Sequence, residues 1–359
     1  MSRTARKESG IVKKPTIHDV ARLSSVSIAT VSRVLNNNGR VEARTASKVR
    51  RAIEHLSYVP DNIARGMRHK KSYAIGYIVS DIANVHFTVA AKYLQEYLAG
   101  EGYSLMICST GGDKERELQH LRLMQSQQVD GLLINVTGKN DAYIVELSQK
   151  LPIVLLSRKI HDKAFKGDFV GSDAFQGAYA LGRHILSLGH RRIGLIRGPM
   201  DISTGSERLN GFMAALNEEG VELGESMVYP GNYYRDSGWL GAEKLLSAPQ
   251  PPTILVAMNN TMAFGVLEYL KKNNYRVPED VSCAAFGNMA NRELLYVSPA
   301  AVSEKPDQEG KLAGELLLRR IADMNATPMT AVVPSDLLAG NSILKLENVE
   351  SQPRFTQAV

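Results

Sequence analysis

The chain contains 359 residues with a formal net charge of +6, and 44% of its residues are hydrophobic. This length exceeds one typical domain, and the lack of an apolar run of about 18 residues excludes a membrane-spanning helix. Residues 1–14 are basic and polar, without the apolar segment of a secretory signal, so we expect a disordered arm on a cytoplasmic protein. Cys108 and Cys283 stand far apart and are expected to be free thiols.

The positive charge is concentrated at one end of the chain. Residues 1–71 contain 16 Lys or Arg against 5 Asp or Glu, a net charge of +11, whereas the remainder has a net charge of −5. The phosphates of a nucleic-acid backbone attract such a basic segment. We therefore expect one end of the chain to bind nucleic acid.

The first predicted helix begins after Thr16. A hydroxyl at the N-cap and the Asp19 carboxylate three residues later favour a helix start at the positive end of the helix dipole. Ile17, Val20 and Ala21 then fall on one face with helical spacing. The pattern indicates a short amphipathic helix.

A polar break at Ser24 and Ser25 separates this helix from a second one that Ser27 can cap. The apolar positions expected to face inward are Val31, Val34 and Leu35 in the second helix, and Val49, Ala52, Ile53 and Leu56 in a third. The positions expected to face outward are Ile28, Ala29, Ser32 and Arg33. Three short helices with exposed polar groups early in the second predict a helix-turn-helix domain over residues 15–58, with its second helix in the DNA major groove.

Residues 59–71 are predicted to form a hinge helix or linker. From residue 72 onwards the sequence pattern changes to alternating apolar runs and helical patterns. Strand-like apolar runs occupy residues 74–80, 104–108, 131–136, 153–157, 192–197, 253–258 and 281–286. Helical patterns lie between them at residues 87–98, 115–125, 177–188 and 208–218. Regular β–α alternation predicts parallel sheets covered by helices on both faces.

Two sets of strands predict two doubly wound subdomains facing a cleft. Residues 72–346 form the expected core, in which the chain crosses between subdomains more than once. The expected N-subdomain contains about residues 72–171 and 302–335, and the expected C-subdomain contains about residues 172–301 and 336–346. Residues 347–359 have the composition of a polar tail, without heptads for a coiled coil.

The chain resembles the LacI/GalR family of bacterial transcriptional regulators over nearly its whole length, to about residue 345. The headpiece motifs that carry the resemblance are Asp19-Val20-Ala21, Val26-Ser27, Thr30 to Asn36, and Tyr58-Val59-Pro60. The core landmarks include Asn84 with Phe87, Ser157-Arg158, Leu188 to Ile193, Glu207-Arg208, and Val277 to Val281. The resemblance implies a helix-turn-helix headpiece joined to a periplasmic-binding-protein-like α/β core, acting as an effector-controlled homodimeric regulator, expected to be a repressor.

The resemblance assigns the DNA contacts. Ile28 and Ala29 occupy the positions that choose the operator sequence in relatives, and both are apolar, so shape and thymine-methyl contacts are expected there. Arg33 is expected to contact either a guanine or a phosphate, and both alternatives remain open. Thr30, Ser32 and Asn36 are expected to contact phosphates, and Thr16 and Ser27 are further expected DNA contacts.

In relatives the hinge helix enters the minor groove and wedges a leucine between base pairs. Met67 occupies the matching position here, with Ala64 one turn before it and Asn62 as a further expected DNA contact. Gly66 weakens an isolated helix by about 1 kcal/mol relative to alanine, so the hinge is expected to fold only on DNA. A plain flexible linker is the alternative.

The resemblance also predicts an effector cleft and gives its lining. The expected effector contacts are Phe87, Ser157, Arg158, Arg208, Asn259, Gly287 and Lys305. Relatives that bind neutral sugars often carry aspartates where this chain has Ser157, Asn260 and Gly287, and a glutamine in place of Lys305. A cleft with fewer carboxylates and with retained cations suits an anion.

We therefore expect a sugar acid such as gluconate or a ketogluconate as the effector, with a sugar phosphate or a neutral sugar as alternatives. The competing interpretation is that Arg158 forms a structural ion pair and that Lys305 is exposed to solvent. A solute-binding protein is a remote alternative, because it would leave residues 16–60 unexplained. The sequence lacks phosphate-binding, nucleophile-elbow and metal-spaced motifs, so we expect no enzyme activity, cofactor or metal.

Overall fold

The computed structural model describes residues 15–35, 41–58, 71–289 and 291–346. The chain divides after Ser72 into two compact units, a helical module and an α/β core. No helix in the described parts of the chain is both long enough and apolar enough to span a membrane.

The helical module consists of α1 (Ile17–Ser24), α2 (Ile28–Leu35) and α3 (Ala43–Leu56). The Asp19 carboxylate accepts hydrogen bonds from the backbone N–H of Thr16 at 2.9 Å and from its hydroxyl at 2.7 Å, which closes the first turn of α1. Ser25 ends α1 in the left-handed region with φ 53°. Ser27 Oγ accepts from the backbone N–H of Thr30 at 3.1 Å, so Ser27 caps α2 as predicted.

A small apolar core joins the three helices of the module. Its fully buried members are Val20, Ala21, Val31, Val49 and Ala52. Ile28 also packs against this core and is only partly exposed, which corrects the expectation that it faces outward. A short helix contributes few inward-facing side chains to a core shared by three helices. An apolar residue in its first turn therefore packs against the core as well.

The α/β core contains two six-stranded sheets. Its strands are β1 (Ala74–Val79), β2 (Ser104–Ser109), β3 (Gly131–Ile134), β4 (Ile153–Leu156), β5 (Asp168–Ser172), β6 (Ile193–Arg197), β7 (Val228–Pro230), β8 (Ile254–Ala257), β9 (Ser282–Phe286), β10 (Ala300–Ser303), β11 (Thr330–Val333) and β12 (Asp336–Leu338). Its helices are α4 (Val85–Gly100), α5 (Lys114–Ser126), α6 (Asp141–Leu147), α7 (Ala174–Ser187), α8 (Ser203–Glu218), α9 (Arg235–Leu246), α10 (Asn260–Lys272) and α11 (Pro306–Ala322).

The first sheet has the order β2-β1-β3-β4-β5-β11, and all of its strands are parallel. The second sheet has the order β7-β6-β8-β9-β10-β12, in which only β12 runs antiparallel to its neighbour. The predicted fold class of two parallel α/β subdomains is confirmed. The sequence patterns missed the strands β5, β7, β10, β11 and β12.

Helices cover both faces of each sheet, as right-handed β–α–β crossovers require. In the first subdomain α4 and α11 pack together over one face, where Ile75 and Tyr77 of β1 point. Ile78 points to the opposite face with Leu121 of α5 and Ile144 of α6. The carboxyl ends of the strands are thereby left uncovered, and polar residues follow the strands there.

Candidate functional site

The helix α2 carries five of the eleven residues expected to contact DNA, and Ser27 precedes it directly. Ser27, Ala29 and Arg33 are exposed, whereas Thr30 and Ser32 are partly buried. The Thr30 hydroxyl lies 2.9 Å from the Ser27 hydroxyl, so a hydroxyl pair stands at the start of α2. Thr16 lies exposed at the start of α1. The module therefore exposes a basic, hydroxyl-bearing helix on an apolar core.

Several residues of the expected DNA interface lie outside the described part of the chain. These are Asn36 after α2, and Asn62, Ala64 and Met67 in the hinge. The wedge at Met67 consequently stays a prediction from the resemblance.

A cavity of about 250 Å³ lies between the two subdomains of the α/β core. Its lining includes residues that directly follow strands of both sheets, namely Ser80, Asn135, Ser157, Gly287 and Glu304, and Asn259 stands two residues after the end of β8. Ligands of open α/β sheets bind at such carboxyl ends, where backbone and side-chain polar groups converge. The structure brings six of the seven expected effector contacts to this cavity: Phe87, Ser157, Arg158, Arg208, Asn259 and Gly287.

Arg158 lines the cavity with a partly buried guanidinium. Its Nη1 donates to the carbonyl of Val136 at 2.8 Å, and burial lowers the pKa of the side chain. Within the described residues no carboxylate lies within 4 Å of the Arg158 guanidinium. The competing interpretation of Arg158 as a structural ion pair therefore finds no partner in this part of the chain.

Arg208 on α8 is held differently, although it lines the same cavity. Its Nη1 donates to the Met258 carbonyl at 2.7 Å, and its Nη2 lies 3.3 Å from Oε1 of Glu304. The guanidinium also lies 3.9 Å from the centre of the Phe286 ring, a cation–π contact. Two of its five N–H donors are therefore used within the protein, and its buried Nε makes no hydrogen bond within the described residues.

A buried charged cluster stands behind this arginine. His86 lies between two carboxylates: its Nδ1 is 3.7 Å from Glu304 and its Nε2 is 3.3 Å from Glu309. Burial by itself lowers the pKa of His86, but the charges of Glu309 and Glu304 outweigh burial and raise this pKa to about 9. His86 is therefore a cation at neutral pH. Sequence reasoning treated it as a lone histidine.

The three groups His86, Glu304 and Glu309 also have the composition of a metal site. The two carboxylates, however, approach opposite ring nitrogens of His86, and Arg208 adds a second positive charge beside Glu304. Two cations balance two carboxylates without a metal ion. The arrangement therefore fits a protonated imidazole better than a bound divalent cation.

Lys305, the seventh expected effector contact, does not line the cavity. Its ammonium lies 3.2 Å from the Asp336 carboxylate on β12, and its side chain is 29% exposed. Successive residues of an extended segment point to opposite sides, so Glu304 faces the cavity and Lys305 faces away. The structure thus corrects the expectation for Lys305: the neighbouring residue Glu304 lines the cavity in its place.

An amide pair links the two subdomains at the edge of the cavity. Asn84, the N-cap of α4, and Asn260, the first residue of α10, exchange side-chain hydrogen bonds of 2.9 Å and 3.2 Å. Asn260 also donates to the carbonyl of Asn288 at 2.7 Å. An aspartate at position 260 could accept the bond from Asn84 but could not donate to Asn84 or to Asn288. The asparagine that stands in place of a carboxylate therefore adds hydrogen bonds to the contact between subdomains.

Sequence reasoning also missed several other cavity residues. The additional lining groups include the carboxylates of Asp81, Asp201 and Glu304, the ammonium of Lys139, and the rings of Tyr233 and Tyr234. Asn232 to Tyr234 follow the short strand β7, which the sequence patterns did not reveal. The only signal in the sequence for these three residues was their position after the end of a strand.

Comparison with known proteins assigns both units. Residues 16–61 match the family described as bacterial regulatory proteins, lacI family, and residues 72–340 match periplasmic binding proteins and the sugar binding domain of the LacI family. The HTH-type transcriptional repressor PurR of Vibrio atlanticus (strain LGP32) is 30% identical over 86% of this chain and 92% of its own length. PurR of Escherichia coli O139:H28 is also 30% identical, over 91% and 96%.

Solved structures show the same architecture. The transcriptional regulator CelR–cellobiose complex superposes with a TM-score of 0.68 and 26% identity, over 91% of this chain and 99% of CelR. The lac repressor dimer bound to operator and the anti-inducer ONPF superposes with a TM-score of 0.79 and 22% identity, over 92% and 100%. The chain therefore belongs to the LacI family and is a DNA-binding transcriptional repressor with a small-molecule effector.

Proposed function

We propose that the effector of this repressor is a sugar acid, of the size of gluconate or a ketogluconate. The observation that carries this proposal is the Arg158 guanidinium, which faces the cavity without a carboxylate partner in the described part of the chain. A planar guanidinium binds a carboxylate through two parallel hydrogen bonds. An anionic ligand would supply the negative charge that Arg158 does not receive from the described residues.

The rest of the cavity suits a polyhydroxylated chain. The side-chain amides of Asn135, Asn259 and Asn232 line it, and amides can both donate to and accept from sugar hydroxyls. Asn259 already uses its Nδ2 for the Tyr233 carbonyl and its Oδ1 for the Met262 N–H, whereas the Nδ2 of Asn232 makes no hydrogen bond within the described residues. The volume of about 250 Å³ lies near the small end of ligand cavities, which begin at roughly 300 Å³. These features favour a ligand of about six carbons over a nucleotide or a peptide.

The proposed mechanism couples this cavity to DNA through a shift between two states of a homodimer. Each protomer places α2 in the major groove of one operator half-site, as a two-fold DNA site requires. Effector binding between the subdomains favours one relative arrangement of them and thereby changes operator affinity. In this proposal the protein acts on cytoplasmic DNA, as a regulator without catalytic activity.

Calorimetric titration of the full chain tests the effector, with gluconate, 2-ketogluconate, a sugar phosphate and a neutral sugar as ligands. Arg158→Gln should weaken gluconate binding roughly ten- to hundredfold, because a charge-assisted hydrogen-bond pair is lost. Lys305→Gln is the matched control, since it removes the same charge from a residue paired with Asp336. Binding restricted to neutral sugars, or equal losses in the two variants, would overturn the proposal.

A mobility shift tests the regulatory half of the proposal. The probe is DNA upstream of the gene for this protein and of its neighbours, with and without the sugar acids. Release of the DNA by one sugar acid identifies an inducer, whereas tighter binding identifies a corepressor.

A neutral sugar is the second candidate, because Asp81 and Asp201 also line the cavity and carboxylates accept hydrogen bonds from sugar hydroxyls. The bound cellobiose of CelR is consistent with this alternative. The calorimetric titration separates the two candidates directly, since only an acid requires the charge of Arg158.

A further inference from the structure

The carboxylate of Glu304 has one satisfied oxygen and one that faces the cavity. Its Oε1 accepts from the Ser172 hydroxyl at 2.7 Å and from Nη2 of Arg208 at 3.3 Å. Within the described residues the hydrogen bonds to this carboxylate all end on Oε1, and Nδ1 of His86 lies 3.7 Å from Oε2. Oε2 is therefore an acceptor with spare capacity in a ligand cavity.

Gly287 creates the space in which this oxygen lies. A Cβ added at Gly287 would lie 3.3 Å from Oε2 of Glu304, and the backbone φ of 94° disfavours any other residue. Since glycine leaves this corner open, a ligand group can approach Oε2 beside the Gly287 backbone.

Glu304 is also held in its ionised form. Burial alone would raise its pKa, but the cationic His86, the guanidinium of Arg208 and the Ser172 hydroxyl together bring the pKa below its usual range. An ionised carboxylate only accepts hydrogen bonds. It therefore attracts a hydroxyl and repels a second ligand carboxylate or phosphate.

We propose that Glu304 is a specificity-determining residue, which accepts a hydrogen bond from an effector hydroxyl and excludes ligands with a second anionic group. This inference rests on the proposed sugar-acid effector. It assigns binding of the acid group to Arg158 and binding of a hydroxyl to Glu304, which line the same cavity. The selected ligand is a monocarboxylate such as gluconate, and the rejected ligands are the dicarboxylate glucarate and 6-phosphogluconate.

The test is calorimetric titration of the full chain with gluconate and glucarate. In Glu304→Gln an amide N–H₂ can donate to a second carboxylate, so the preference for gluconate over glucarate should fall by on the order of tenfold or more. Glu309→Gln is the matched control, because Glu309 contacts the same His86 from outside the cavity lining. This control should change the preference by less than about twofold.

Glu304→Asp guards against a folding defect, because it keeps the charge and withdraws the carboxylate by one methylene. It should retain the rejection of glucarate and lose affinity for gluconate. If the wild type binds gluconate but Glu304→Gln keeps the full preference, the role of Glu304 is overturned and the sugar-acid proposal stands. If the wild type binds no sugar acid, the proposed function fails, and this inference fails with it.

Discussion

The helical module and the α/β core treat charge in opposite ways. In the module the interior is apolar around Val20 and Val31, and the arginines Arg22 and Arg33 stand on the surface. In the core the largest fully buried side chain is Arg320, which is 1% exposed. The charged side chains of the module are therefore exposed and available to a partner. In the core, buried charged side chains pair with one another and line the ligand cavity.

Removing a buried charge from the core should have the largest effect. Arg320 on α11 holds the buried Asp168 with two hydrogen bonds of 2.7 Å and 2.8 Å. Arg320→Met should lower the free energy of unfolding by about 3 to 5 kcal/mol, because Asp168 loses its main partner. Arg276→Met, at an exposed pair with Asp280, should cost at most about 1 kcal/mol. Denaturant unfolding measures both variants. Equal losses in the free energy of unfolding would contradict the difference expected between the buried and the exposed pair.

Two histidines of the core should give opposite dependences on pH. His86 has a pKa raised to about 9, so its stabilisation is complete below pH 6.5 and is lost as pH rises towards 9, an effect of about 3 kcal/mol. Burial lowers the pKa of His190 to about 4, despite its hydrogen bond with the Leu344 carbonyl. Stability is therefore lost at that site as pH falls from 6.5 towards 4.

Urea unfolding of the wild type, His86→Gln and His190→Gln measures this difference. The advantage of the wild type over His86→Gln should shrink between pH 7 and 9.5. The loss of wild-type stability below pH 6.5 should be weaker in His190→Gln. A pH-independent gap between the wild type and His86→Gln would show that His86 is not a buried cation.

In the module a surface charge should change DNA affinity and leave stability nearly unchanged. Arg33→Ala should weaken operator binding by about 1 to 3 kcal/mol if Arg33 reads a base, and the change should relax the specificity at one position. A phosphate contact would instead weaken all sequences alike and lower the salt dependence. Arg22→Ala is the matched control on α1, where Arg22 pairs with Asp19 at 2.8 Å. Binding titrations at several salt concentrations separate these outcomes.

The smallest expected effect concerns the turn between α1 and α2. Ser25→Gly should stabilise the module by about 1 kcal/mol, because Ser25 has a left-handed φ of 53°. Ser27→Gly makes the same exchange two residues later, where it removes the cap of α2 and should cost a few tenths of a kcal/mol. Amide hydrogen exchange of residues 15–58 in the full chain measures both. If both substitutions lowered the stability of the module, the backbone of Ser25 would be shown to be unstrained.

The two regions also differ in how well local patterns predicted them. The helix start at Thr16, the cap at Ser27 and the break between α1 and α2 depend on residues within three or four positions, so the sequence was sufficient. Seven strands of the core were evident as apolar runs for the same reason. The short strands β10 and β12 were not, because their pairing is decided by the crossovers between the subdomains.

The amino-acid sequence by itself determined the basic helical module, the alternation of strands and helices, and most residues of the cavity, because each follows from local spacing or from a position at a strand end. Only the tertiary structure decided which charges meet. Glu304, rather than its neighbour Lys305, faces the cavity, because a shift of one residue in an extended segment reverses the side. His86 became a cation because residues more than 200 positions away enclosed it with carboxylates.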